Sequence, residues 1–199
     1  LTLNTGVAQS DNERLFSLLN SLYPLTLKRY ASGSEHNGWV IPKDWVVKKA
    51  HIKKNGIVLF DGTSHPMAVA GYSSSFRGTV TKEDLDKHIF YSTRFPDAYA
   101  FHCMYNYRPW ETHWGFCIPH TIYQKWEAGM YEVELDVDFV DGEMIVAEAS
   151  HEGSSPDAIV FNAHTCHPCQ ANDDMAGVFV ILELFKWLST QKTRYSYRG

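Results

Sequence analysis

Ala158-Ile159-Val160-Phe161-Asn162-Ala163-His164-Thr165-Cys166-His167-Pro168-Cys169-Gln170-Ala171-Asn172-Asp173-Asp174-Met175-Ala176-Gly177 is the stretch whose reading decides the fold. Its first six residues are nearly continuously apolar, which predicts a central strand covered on both faces. From Ala176 to Leu188 the residues Val178, Ile181, Leu182, Phe185 and Leu188 recur at helical spacing. They predict a helix, with Asn172 or Asp173 as its cap. Strand, polar loop and helix in that order place the loop at the carboxyl end of a strand, where open α/β sheets hold their ligands.

The loop concentrates chemistry. Two imidazoles (His164, His167), two thiols (Cys166, Cys169) and two carboxylates (Asp173, Asp174) lie between His164 and Asp174. Imidazole nitrogen together with carboxylate oxygen suits Zn²⁺, and a catalytic site with about three protein ligands keeps a position open for water. The simpler alternative is a hydrogen-bonded loop in which Asp173 only caps the helix. A third alternative is a redox centre at Cys166-x-x-Cys169, in which a helix amino end lowers a thiol pKa. Against the third, that motif normally opens its helix at once. Here Gln170 to Asp174 intervene, and two carboxylates disfavour a thiolate.

Working toward the amino end, Tyr131, Val133, Leu135 and Val137 alternate with Glu132, Glu134 and Asp136. This is the period of a strand with one wet face, on which those acids and Asp138 are expected to be solvated. Asp141-Gly142 then predicts a hairpin turn into a second strand, Glu143 to Ala149. From Trp39 to about Gly129 the chain is rich in aromatics and turn residues, as in a small β-rich module. Tyr105, Tyr107, Trp110, Trp114 and Phe116, with His102 and His113 interleaved, are expected as core packing, with a substrate cleft as the alternative. His65, His88, His120 and His151 are isolated and read as surface or hydrogen-bonded side chains. Ser32 to Gly38 marks a loop and a boundary. Before it, Ser10 and Glu13 form a capping-box pattern, and Leu15, Phe16, Leu18, Leu19 and Leu22 predict a helix that Pro24 ends.

Composition narrows the function. With 199 residues, 44% of them apolar, the chain can bury a sizeable core. Eighteen basic against twenty-three acidic residues give a charge of −5, without the basic excess that nucleic-acid binding requires. No apolar run approaches the ~20 residues of a membrane span, and no signal-peptide pattern opens the chain, so a cytoplasmic location is the default expectation. Four unevenly spaced cysteines are expected to be reduced thiols.

His164-Thr165-Cys166-His167-Pro168 followed by Ala171 to Gly177 resembles a family of bacterial aminopeptidase-like proteins, formerly of unknown function, in the zinc-peptidase superfamily of bacterial leucine aminopeptidase. The likeness extends to Ser32-Gly33, Val40-Ile41-Pro42-Lys43-Asp44-Trp45, Gly71-Tyr72-Ser73, Trp114-Gly115-Phe116-Cys117 and Gly129-Met130-Tyr131-Glu132-Val133, in that order. It spans about residues 25 to 199. The resemblance implies an α/β fold with a mixed-sheet, zinc-peptidase-like (phosphorylase/hydrolase-like) core. On that reading residues 1–36 lead into the core, 37–129 form an inserted β-rich domain, and 130–199 return to the core, whose C-terminal part lies beyond residue 199.

The same resemblance implies zinc, as one or two ions, with His164, His167 and Asp173 as the metal residues. Cys166, Asn172 and Asp174 complete the site loop. Relatives usually carry His-x-Asp at the strand end, where this sequence has His164-Thr165-Cys166, so either histidine could be the ligand. A second departure is Glu35-His36-Asn37-Gly38-Trp39, where relatives show a Phe-Asp-Trp-like run. The general-base Glu is expected beyond residue 199. The expected activity is metal-assisted hydrolysis of an amide in a peptide or small molecule, with a non-catalytic zinc-binding module as the alternative.

Overall fold

The computed structural model describes residues 3–103 and 110–199. Tyr105 and Tyr107 of the aromatic cluster lie outside the described residues. The fold is mixed α/β with several small sheets. In chain order, the first segment carries α1 (Asn12–Leu22), β1 (Thr26–Ala31), β2 (Glu35–His36) and β3 (Trp39–Val40). The second carries β4 (Asp44–Lys54), β5 (Ile57–Asp61), β6 (Phe76–Thr81), α2 (Lys82–Leu85), β7 (Ile89–Phe90), β8 (Phe116–Cys117), α3 (His120–Tyr123) and β9 (Met130–Val140). The third carries β10 (Glu143–Glu148), β11 (Ser150–His151), β12 (Ala158–Val160), α4 (Met175–Leu188) and β13 (Ser196–Arg198). Two compact units result, one from residues 1–44 and 141–199, the other from 45–140.

In the two-segment unit, β1 pairs antiparallel with β10 along its whole length, from Thr26 opposite Glu148 to Ala31 opposite Glu143. Leu15, Phe16 and Leu19 of α1 share a cluster with Leu182 of α4, and with Leu27, Ile145 and Ala147 of the sheet. Apolar residues of the two helices thereby leave water together, at roughly 25 cal/mol per Å² of apolar surface buried. A second cluster joins Phe185 and Leu188 of α4 to Ala149 and Tyr197. Helix α1 ends where the sequence predicts, at Tyr23 before Pro24. Its start differs from expectation: Asp11 holds the N-cap position and no side chain caps it. Glu13 turns away to pair with Arg29 at 2.8 Å, so the predicted capping box does not form.

The third sheet, ordered β11-β13-β12, is mixed, with β13 antiparallel to β11 and parallel to β12. Chain and sheet therefore make a β12-loop-α4-β13 crossover with the His/Cys/Asp loop at the carboxyl end of β12. Gly153 is needed beside this sheet, because a Cβ there would sit 2.2 Å from the Tyr195 carbonyl oxygen. Contrary to the central strand predicted for 158–163, β12 occupies an edge among the described residues. Val160 is 71% exposed. The apolar run is real: Phe161 packs against the α4 cluster and stacks on Tyr197, while Ile159 and Val160 stay exposed.

The predicted Asp141-Gly142 hairpin is also corrected. Strands β9 and β10 do not pair with each other: β10 takes β1, and β9 lies between β4 and β6. The physical reason is Ser32, whose backbone N–H donates to the Gly142 carbonyl at 2.9 Å and whose hydroxyl oxygen accepts from Gly142 N–H at 3.0 Å. Asp141 is held by Lys43 at 3.0 Å. The turn chemistry thus serves an anchor to the start of the chain.

The unit of residues 45–140 is built on the antiparallel sheet β5-β4-β9-β6. Tyr131, Val133, Leu135 and Val137 point into its core with Trp45, Ile52, Trp114 and Phe116, as the alternation predicts. The opposite face is laced with ion pairs: Lys49 lies 2.9 Å from Glu134, and Lys48 lies 3.0 Å from Asp138. Trp114 and Phe116 are core residues, whereas Trp110 is exposed. His88 stacks on Trp114, His102 on Phe90, His65 on Tyr99 and His120 on Tyr91. His151 contacts the Thr193 hydroxyl at 3.1 Å.

Candidate metal centre

Helix α4 starts at Met175, and its cap is Asp174, not the predicted Asn172 or Asp173. The Asp174 Oδ1 accepts from Gly177 N–H at 3.2 Å, and its Oδ2 accepts from His164 N–H at 3.3 Å. One carboxylate therefore satisfies an orphan donor of the helix and ties the strand end to it. With that duty on Asp174, the neighbouring carboxylate turns to the histidines.

His164 Nε2 lies 2.9 Å from Asp173 Oδ1, and His167 Nε2 lies 3.8 Å from Asp173 Oδ2. One ligand atom from each of the three residues falls within 4.8 Å of the others. Ligands of a tetrahedral zinc ion, at ~2.0–2.1 Å from the metal, stand about 3.3 Å apart. The observed separations bracket that spacing, and an N₂O donor set suits the ion, so the residues present fit it. A single exposed imidazole–carboxylate pair would carry little meaning. Here a second imidazole, only 20% exposed, turns toward the other oxygen of the same carboxylate.

Both rings have partners on their far sides. His167 Nδ1 lies 3.1 Å from the Pro168 carbonyl oxygen, and His164 Nδ1 lies 3.7 Å from Cys166 Sγ. The Pro168 carbonyl can only accept, so it places the His167 proton on Nδ1, whereas His164 donates from Nε2 to Asp173 when no cation is bound and from Nδ1 when a cation takes Nε2. The loop is clamped at two further points. Buried Gln170 donates from Nε2 to the His164 carbonyl at 3.4 Å, and the Thr5 hydroxyl donates to the His167 carbonyl at 2.6 Å. Neither was foreseen from the sequence, and Thr5, 162 positions away, leaves no local signal there.

The structure thus brings His164, His167 and Asp173 together and gives Asp174 a supporting role. Asn172 is exposed beside them. None of the four cysteines is in a disulfide. Burial pushes the Cys166 thiol up, with the charge of Asp173 acting in the same direction, and burial also raises Cys169. Such thiols are the reverse of the activated thiolate a redox centre needs. No helix among the described residues is long and apolar enough to cross a membrane.

Known proteins resemble this chain in sequence and in fold. A family model described as a domain of unknown function (DUF2172) matches residues 44–138. A Clostridium acetobutylicum protein, named for polysaccharide biosynthesis and an aminopeptidase-like domain, is 27% identical over 186 residues, covering 93% of this chain and 42% of the relative. A crystal structure from Clostridium acetobutylicum, described as a peptidase, superposes with a TM-score of 0.82 at 25% identity, over 99% of this chain and 46% of the other. A zinc aminopeptidase from Bacillus subtilis shares the fold, with a TM-score of 0.61 at 12% identity over 98% of this chain and 56% of its own. The chain spans less than half the length of the two Clostridium proteins it matches. Its similarity is to peptidase-like proteins in both sequence and fold.

Proposed function

We propose that the protein is a zinc-dependent, aminopeptidase-like hydrolase of amide bonds, and that His164, His167 and Asp173 are metal ligands contributed by this chain. One observation carries the proposal: three ligand atoms of the right types converge at the carboxyl end of β12. The zinc content of the Bacillus subtilis neighbour and the aminopeptidase-like name of the Clostridium relative support it. When bound, zinc lowers the pKa of water toward neutrality and polarises a carbonyl.

The chain's own residues do the positioning. Asp174 fixes the strand end to α4, Gln170 and Thr5 hold the loop carbonyls, and Asp173 presents both oxygens to the two rings. No carboxylate among them is free to serve as general base, a role we assign to a Glu in the part of the longer relatives that this chain does not match. The exposed apolar side chains of β12 and α4, Ile159, Val160 and Val180 among them, would be covered by that same part. We further propose that the compact unit of residues 45–140, in place of the 37–129 expected from the sequence, is an insertion in the peptidase core, that the protein is cytoplasmic, and that its substrate is a peptide, a modified amino sugar or an acylated metabolite.

Metal analysis and turnover test this together. A polypeptide of the relatives' full length should retain one or two zinc ions through gel filtration, this chain alone should bind zinc weakly, and replacing Cys166 and Cys169 by Ser should spare the binding. This chain alone should not hydrolyse an aminoacyl anilide, whereas a polypeptide of the relatives' full length should do so until a chelator is added. Zinc without any hydrolysis by the longer polypeptide would favour a non-catalytic metal module, and loss of zinc on cysteine replacement would favour a thiolate site.

A further inference from the structure

We infer that Cys166 is a positioning residue for His164: its sulfur accepts the Nδ1–H of that ring and so holds Nε2 toward Asp173 as the metal-binding nitrogen. The inference rests on the metal reading above. Cys166 Sγ is 3.7 Å from Nδ1, while Nε2 of the same ring is 2.9 Å from Asp173 Oδ1. The two ring nitrogens diverge, so sulfur and carboxylate flank the imidazole on opposite sides. Cys166 is not in the group whose ligand atoms converge, which comprises His164, His167 and Asp173. Its place is behind a ligand, not among them.

A metal-bound imidazole generally donates its other N–H to an acceptor that fixes its tautomer and its orientation. Among the described residues, Cys166 is the side chain hydrogen-bonded to Nδ1 of His164. A neutral thiol is both a weak donor and a weak acceptor, whereas a carboxylate in the same place could only accept. In the metal-free protein S–H can donate to Nδ1 while Nε2–H donates to Asp173. With a cation at Nε2 the roles reverse, and the N–H donates to sulfur. One side chain thereby supports the ring in both states.

Cobalt(II) binding, read by competition with a chromophoric chelator and by its absorption spectrum, tests this. C166A should bind cobalt about 10- to 100-fold more weakly than the wild type, the usual effect of removing such a partner. C166S and C166D, which keep an acceptor, should restore binding to near the wild-type value. The wild-type cobalt protein should show no sulfur-to-metal charge-transfer band, a readout that needs no variant. A band that disappears in C166S would make Cys166 a ligand and overturn the inference. So would wild-type binding with equal affinity in C166A, which leaves the metal reading standing. Failure of the wild type to bind cobalt would sink the metal reading and this inference with it.

Discussion

Asp173→Ala should lower zinc affinity by at least about a hundredfold while leaving the fold intact. The carboxylate is the group that both imidazoles face, at 2.9 and 3.8 Å. Removing it takes away the anionic ligand of an N₂O set and leaves two neutral nitrogens. A ligand's share of an overall binding free energy of roughly 10–16 kcal/mol, spread over about four ligands, is ample for that loss. Stability should hardly change, because the side chain is 77% exposed and the helix is capped by Asp174. Surface changes away from caps and cores stay within about 0.5 kcal/mol. Chelator competition for affinity and urea denaturation for stability separate the two effects. An unchanged affinity would mean that the three side chains form only a hydrogen-bonded loop. A collapse of stability would mean that Asp173 holds the loop together.

Phe185→Ala should destabilise the two-segment unit by about 3–5 kcal/mol, the range for deleting a buried aromatic ring. Phe185 is fully buried on α4, in one cluster with Ala149 and Leu188, and meets Tyr23 edge-on at a centroid distance of 6.2 Å. The cavity would open beneath the helix whose first turn closes the metal loop. The denaturation midpoint of the unit should therefore drop, and zinc should bind more weakly at temperatures where part of the population has opened. Trp187→Ala, two positions on but 58% exposed, is the control and should cost far less. Equal effects of the two substitutions would mean that α4 packs through a different face.

How much of this was legible beforehand depends on the distance over which each signal acts. Helix periodicity is local, so the stripe from Val178 to Leu188 and the stop at Pro24 were readable, and so was the alternation from Tyr131 to Val137. Ligand types in the loop were equally plain. The hairpin at Asp141-Gly142 was misread because the turn pair is a local cue, while the anchor that uses it is Ser32, 110 positions earlier. The cap was misplaced by one residue for a related reason. Asp173 and Asp174 are chemically identical, and only the fold reveals which carboxylate meets the helix and which meets the histidines. A continuous apolar run marked β12 as buried, yet burial is a property of neighbours, and none of the described residues supplies them on its outer edge. The clamp from Thr5 to His167 lay beyond any reading of spacing.

The central claim is that the loop at the carboxyl end of β12 delivers two imidazoles and a carboxylate to one divalent cation. Anomalous diffraction at the zinc edge, from crystals grown with stoichiometric zinc, tests it most directly. The predicted result is a single strong peak, or the nearer of two, contacted by Nε2 of His164, Nε2 of His167 and an Asp173 carboxylate oxygen. A peak bound by Cys166 and Cys169 sulfurs, or no peak at this loop in protein that is fully folded, would contradict it.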